Sequence, residues 1–183
     1  MHPDRRKWNR KYRDGLGRSA PAAIVKSYCR YATAGLALDI AAGNGRNALY
    51  LARQGFTIEA LDISEEGLRK FAGKHPRVRC ACVDLEHYRP LPSRYNLVIN
   101  IKYLNRRLMP YLSDALRSGG LLIFETFLKS TRPPRKPFCE DHLLHSNELL
   151  HVFLDMQILY YCERISAAPG EPYPLASLVA VKK

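Results

Sequence analysis

A run of six residues, Gly43-Asn44-Gly45-Arg46-Asn47-Ala48, joins an apolar stretch to a helical pattern. Glycines at its first and third places let the backbone turn sharply and approach a ligand, as open α/β sheets do around nucleotide-like cofactors. Three acids are spaced about this turn. Asp62 follows Gly43 by 19 residues, where a carboxylate accepts from both hydroxyls of a ribose. Asp39 precedes Gly43 by four residues. A carboxylate there repels a pyrophosphate and suits a cofactor with an ammonium group and a sulfonium, as in S-adenosylmethionine. Asp84-Leu85 closes a later apolar run, where an acceptor side chain can take the amino edge of adenine.

The elements that must position these residues follow from the pattern. Nearly continuous apolar runs at 36–42, 57–63, 78–84, 95–101 and 120–127 read as strands buried on both faces. Helical patterns at 46–54, 64–74 and about 106–118 lie between them, and others at 21–33 and 147–154 flank them. Two final strands, 156–165 and 175–183, are joined by "SAAPGEPYP", too short for a crossover helix, so they pair as an antiparallel hairpin. The fold class is α/β: a doubly wound, seven-stranded, mostly parallel sheet with a C-terminal antiparallel hairpin. Residues 1–183 read as one domain with 1–18 as a basic N-terminal arm, a short helix with Pro3 in its first turn and Gly15 as its stop.

Composition narrows the classes. Hydrophobic residues make up 46% and charged residues 25% of the 183, as in a globular protein with a substantial core. No apolar run approaches the ~20 residues of a membrane span, and the first residues lack the apolar core of a secretory signal. Five cysteines without a CxxC pair fit reduced thiols, so the expected location is cytoplasmic. Cys80 and Cys82 alternate on a strand and read as core. The net charge of +12 is concentrated in residues 1–18, with seven basic side chains, and in 129–136, with four. Such a surface admits an anionic partner, nucleic acid included, or merely a solvated face. No nucleic-acid-binding module accompanies it.

With these residues in place the chain resembles the class I S-adenosylmethionine-dependent methyltransferases, from about residue 36 to the end. The resemblance is carried by "LDIAAGNGRNALYLARQG", "LDIS" and "VDLE". Within that superfamily "GNGRN…LYLA" and the ending "LASLVAVKK" look like the tellurite-resistance methyltransferase family. The middle, "NIKYLNRRLMPYL…GGLLIFETF", looks more like a group of small bacterial methyltransferases. The resemblance implies a cofactor set of Asp39, Ala41, Gly43, Gly45, Asp62, Ile63, Asp84, Leu85 and Asn100. Gly43 and Gly45 would lie against the methionine part and ribose, Asp39 by the ammonium group, and Asp62 on the ribose. Ile63 would lie on the adenine face, Asp84 and the Leu85 backbone at its edge, and Asn100 facing the methyl donor. Each has a plainer role: Asp39 supporting the turn, Asp62 capping a helix that begins at Ser64, Leu85 in the core.

Methyl transfer needs alignment and exclusion of water more than any particular catalytic group. Tyr103 and Glu125, at the ends of the fourth and fifth strands, are the candidate bases. Lys102, Asn105 and Arg106 border the same place, with packing and capping as the plain reading of Tyr103 and Arg106. The Asn-Pro-Pro-aromatic motif of adenine-amino methylation is absent, with "NIKY" in its place. The tellurite-resistance family's basic residues in the last hairpin are not reproduced, so its substrate is not carried over. Cys139, Glu140, Asp141, His142 and His145 have no familiar metal-module spacing and read as a polar loop; no metal is expected. Trp8 and Tyr12, four residues apart, share a helix face and can anchor the arm or cover the cofactor. Together with the long Pro-rich loop 129–145 they are expected to close over the site. The methyl acceptor is unidentified. Two other classes remain open on this pattern: a dinucleotide-dependent oxidoreductase, and a non-catalytic RNA-binding protein on the same fold.

Overall fold

An inner strand of the sheet, β1 (Leu36–Ile40), has four of its five residues buried. That follows from its position: β2 (Thr57–Asp62) and β4 (Tyr95–Ile101) flank it in parallel, and helices cover both faces. The computed structural model describes residues 3–17, 19–129, 139–168 and 172–183. Its sheet has seven strands in the order β3-β2-β1-β4-β5-β7-β6, with β3 at Val78–Cys82, β5 at Leu116–Phe127, β6 at Gln157–Glu163 and β7 at Leu175–Val181. Only β7 runs against the others.

The expected antiparallel hairpin forms, but its second strand lies inside, between β5 and β6. The burial patterns give the reason. "LASLVAV" of β7 is buried at six of seven positions, whereas β6 is at best half-buried throughout. The more apolar strand takes the inner place.

Helices α1 (Pro3–Arg13), α2 (Ala23–Tyr28), α3 (Arg46–Arg53), α4 (Glu65–Arg69), α5 (Met109–Ala115) and α6 (Glu148–Val152) complete the fold. Several end earlier than periodicity predicts. The pattern at 106–118 is helical only to Ala115, because β5 begins at Leu116. Leu116 pairs with Tyr95, and after an irregularity Leu121 pairs with Leu97. Gly119, at φ 75°, carries the chain through this irregularity, held by its N–H to the Lys182 carbonyl at 2.8 Å.

Two apolar clusters fill the space on either side of the sheet. One packs α2, α3 and α4 through Val25, Leu51 and Leu68, with Phe71 just beyond α4. The other packs α5 and α6 through Leu112, Leu149 and Phe153. All five cysteines are free, and Cys82 is exposed and Cys80 only half-buried. Cys80 packs against the core as expected, but the core reading of Cys82 is corrected: β3 is the sheet's edge, so its outer positions meet solvent. Among the described residues no helix is long and apolar enough to cross a membrane.

Candidate functional site at the strand ends

The C-terminal ends of β1, β2, β4 and β5 meet around one cavity of about 680 Å³. Parallel sheets of this kind bind ligands at that edge, and the volume is in the range of small-molecule sites. Of the residues expected from sequence, Ala41, Gly43, Asp62, Ile63, Asp84, Leu85 and Tyr103 line it. Asp39, Gly45, Asn100 and Glu125 stand behind the wall, each with a traceable task.

The turn after β1 is built from left-handed backbone: Ala41, Gly43 and Gly45 have φ of 54°, 60° and 75°. Gly45 starts α3, and a Cβ there would lie 2.1 Å from the ring of the buried Phe71. This glycine serves helix packing. A Cβ on Gly43 would instead lie 2.4 Å from the Tyr12 hydroxyl, so this glycine admits α1.

Asp62 ties the turn to β2. Its Oδ2 accepts from the Gly43 N–H and its Oδ1 from the Ser64 N–H, both at 2.7 Å. Burial raises its pKa, and these two N–H groups oppose the rise. Ser64 itself caps α4, its Oγ accepting from the Gly67 N–H at 3.1 Å. Asp39 is 1% exposed, and its Oδ2 has no hydrogen-bond partner. Burial first and the Asp62 charge second push its pKa up to about 8, with Arg46 opposing.

On the β3 side, Asp84 Oδ1 accepts from the Glu86 N–H at 3.0 Å, and the Leu85 carbonyl accepts from Asn105 Nδ2 at 3.2 Å. Buried Asn100 donates from Nδ2 to the Tyr103 carbonyl at 2.7 Å, shaping the loop that leaves β4. Tyr103 lies toward Asp84 and Glu86, and burial raises its phenol to about 12. A phenol so raised stays protonated at neutral pH. Glu125 is 7% exposed and its Oε2 accepts from Ser177 Oγ at 2.9 Å across to β7. The structure does not bring it to the cavity.

Helix α1 roofs the cavity. Asn9 Oδ1 accepts from Ser64 Oγ at 2.8 Å and from the Glu66 N–H at 3.2 Å, fixing the helix on α4. That leaves Lys7, Trp8, Lys11 and Tyr12 facing the cavity, with Lys11 Nζ 4.4 Å from the Trp8 ring centroid. Burial first, then nearness to Asp62 and Asp39, raises the Tyr12 phenol, with Arg46 opposing. The covering role expected for Trp8 and Tyr12 thus has a geometric basis. Of the loop 129–145, residues 130–138 lie outside the described residues, while His142 reaches the cavity wall.

Arg106 holds His142 there. Its Nη1 donates to the Asp141 carbonyl and its Nη2 to the Leu143 carbonyl, both at 2.7 Å, and its guanidinium grips Glu148 at 2.6 and 3.0 Å. Arg106 is a clamp between two distant segments, which packing or capping did not anticipate. Phe127, Thr126 and Asn9 also escaped the sequence reading; none has a local signal, since their roles depend on partners far along the chain. Among the described residues no group of three or more His, Cys, Asp or Glu is gathered to hold a metal ion.

Residues 37–120 match the family described as methyltransferase domain. No curated protein matches the sequence. The structure is similar to TehB from Haemophilus influenzae, with a TM-score of 0.75 and 19% identity over 96% of this chain and 67% of that one. It is similar to 1,6-didemethyltoxoflavin-N1-methyltransferase from Burkholderia thailandensis, solved with 1,6-didemethyltoxoflavin and S-adenosylhomocysteine (TM-score 0.72, 16% identity, 98% and 87% covered). It is also similar to geranyl diphosphate C-methyltransferase from Streptomyces coelicolor A3(2), at a TM-score of 0.69 and 12% identity over 100% and 99% of the two chains. Over residues 37–120 the chain thus matches a methyltransferase domain, and as a whole it has the fold of the methyltransferases of known structure to which it is similar.

Proposed function

We propose that the chain transfers a methyl group from S-adenosylmethionine to an acceptor, with the cofactor along the ends of β1, β2 and β3. One observation carries the reading: the buried Asp39 carboxylate, at the strand end that enters the glycine turn, has an oxygen without a partner. A buried acid left unsatisfied is costly, and a cation offsets that cost. An ammonium group fits it; a pyrophosphate would add repulsion from Asp39 and Asp62.

The other residues then take consistent parts. Each Asp62 oxygen keeps a second lone pair for a ribose hydroxyl. Ile63 lies against the adenine face, with Asp84 and the Leu85 backbone at its edge. Ala41 and Gly43 give close approach to the methionine part, Gly45 holds α3 in place behind them, and Asn100 sets the Tyr103 loop. When bound, the cofactor supplies a methyl group already activated on a sulfonium. The protein's contribution is alignment and a dry site, which α1 provides as a roof. Tyr103 orients by hydrogen bonding. Five unpaired thiols fit a reducing, cytoplasmic setting.

Calorimetry against S-adenosylhomocysteine and NADP tests this reading. Binding of S-adenosylhomocysteine with no response to NADP is expected; tight NADP binding without response to the sulfur ligand overturns it. Labelled cofactor incubated with fractionated cell extract then reveals the acceptor by methyl incorporation.

A further inference from the structure

The cavity is electrically divided along the sheet. At the ends of β2 and β3 its wall carries Asp62, Asp84 and Glu86, with Arg46 at the start of α3 as the cation nearby. At the ends of β4 and β5 and in the segment that follows, the titratable groups that line it are Lys102, the Tyr103 phenol and His142, with no acid among the described lining residues there. Strand order separates the two ends: β2 and β5 are three strand steps apart, roughly 14 Å at ~4.8 Å per step.

The basic end has further structure. Lys102 adopts a left-handed backbone at φ 60°, locked by its N–H donating to the Glu125 carbonyl at 2.6 Å. A non-glycine residue held in that conformation is strained, and strain of this kind collects at functional sites. Its Nζ lies 5.8 Å from the Phe127 ring centroid, so charge and aromatic face stand side by side. Arg106 fixes the carbonyls on both sides of His142. Of the acids on the same segment, Glu140 pairs with Lys129 at 2.8 Å and Glu148 with Arg106 at 2.6 Å, while Asp141, beside His142, accepts from Cys139 Sγ at 3.7 Å. The roof, fixed on α4, brings Asp4, Lys7 and Lys11 to the same cavity.

We propose that this end is the acceptor pocket and that it takes a small organic acid, an anionic carboxylate on a ring-sized apolar body. Lys102 and His142 hold the carboxylate, and Phe127 lies beside the body. The inference deepens the methyltransferase reading and rests on it. An anion between the Lys102 ammonium and the His142 ring receives charge-assisted hydrogen bonds that a neutral analogue lacks. The carboxylate also keeps the acceptor away from the acidic cofactor end, which sets its orientation.

The test uses the full chain saturated with S-adenosylhomocysteine, titrated with benzoate and indole-3-acetate and with their neutral amides. Each acid is expected to bind about tenfold more tightly than its amide, the size of one charge-assisted contact. Lys102→Gln is expected to remove most of that preference; His142→Asn is the second variant should the first not fold. Equal affinity for acid and amide overturns the proposal, as does absence of acid binding to the loaded protein. Tighter, Lys102-dependent binding of a single-stranded RNA oligonucleotide also overturns it, in favour of a macromolecular acceptor. Failure to bind S-adenosylhomocysteine strikes the methyltransferase reading itself, and the acceptor pocket falls with it. Normal cofactor binding without charge preference strikes only the acceptor class.

Discussion

The two ends of the cavity are made in different ways. The end at β1, β2 and β3 is built from short, contiguous pieces: a turn of six residues, a carboxylate that receives two backbone N–H groups, and a serine cap two residues later. Its side chains hold the backbone as much as they face the cavity. The end at β4 and β5 is assembled from residues 102, 127 and 142, brought together by a clamp that spans 42 positions from Arg106 to Glu148. Local bonding gives the first end rigidity and a fixed cofactor class. Long-range assembly lets the second vary its chemistry without disturbing the first.

The largest effect that tests this contrast is at Asp62. Asp62→Ala strands the Gly43 and Ser64 N–H groups, each costing roughly 1–3 kcal/mol when buried without a partner. The variant is therefore expected to lose both S-adenosylhomocysteine affinity and about 2–5 kcal/mol of stability to urea, in a two-state reading. Asp62→Asn keeps an acceptor oxygen and should recover much of the stability while binding remains weakened. Full stability in Asp62→Ala would show that the two functions are not merged as the structure implies.

A second, smaller effect concerns pH. The folded pKa of Asp39 is about 8, above the ~3.9 of an unfolded aspartate. The protonated carboxyl is therefore the form that favours folding. Its contribution is complete below about pH 4 and is lost as pH rises through about 8. The groups facing it are Asp62 and Tyr12, and Arg46 opposes the shift. Cofactor binding runs the other way, because an ammonium group prefers the ionised acid. S-adenosylmethionine affinity should rise between pH 6 and 8 by up to about tenfold per unit, and Asp39→Asn should flatten the rise. Affinity that is level over that interval in the wild type would detach Asp39 from the ammonium group.

Arg106→Lys gives the smallest effect. A lysine cannot reproduce a guanidinium fork that serves two carbonyls and a carboxylate. Benzoate binding is expected to weaken about threefold to tenfold with S-adenosylhomocysteine binding unchanged. Equal loss of both ligands would mean that the two ends are mechanically one.

How much could be read beforehand follows the same division. Asp62, Gly43 and Asp84 were legible because each sits at the end of an apolar run, and a parallel strand ends where its ligand edge begins. Glu125 looked equivalent, at the end of β5, yet alternation along the strand and the inner placement of β7 turn it toward Ser177. Gly45 matched the fingerprint for a ligand's sake but is required by Phe71, a residue 26 positions later. Arg106 had a plausible local role and a different real one.

By itself the sequence determined the α/β layering, the strand positions and the glycine turn with its three acids. Those depend on hydrophobic periodicity and on backbone conformations that only certain residues adopt, both written within a few neighbouring positions. The tertiary structure alone decided that β7 lies inside β6, that α1 roofs the cavity on Asn9 and Tyr12, and that Lys102 and His142 share one end of it. These are choices among chain segments of similar local character, settled by which strand buries more apolar surface and which distant polar groups satisfy one another.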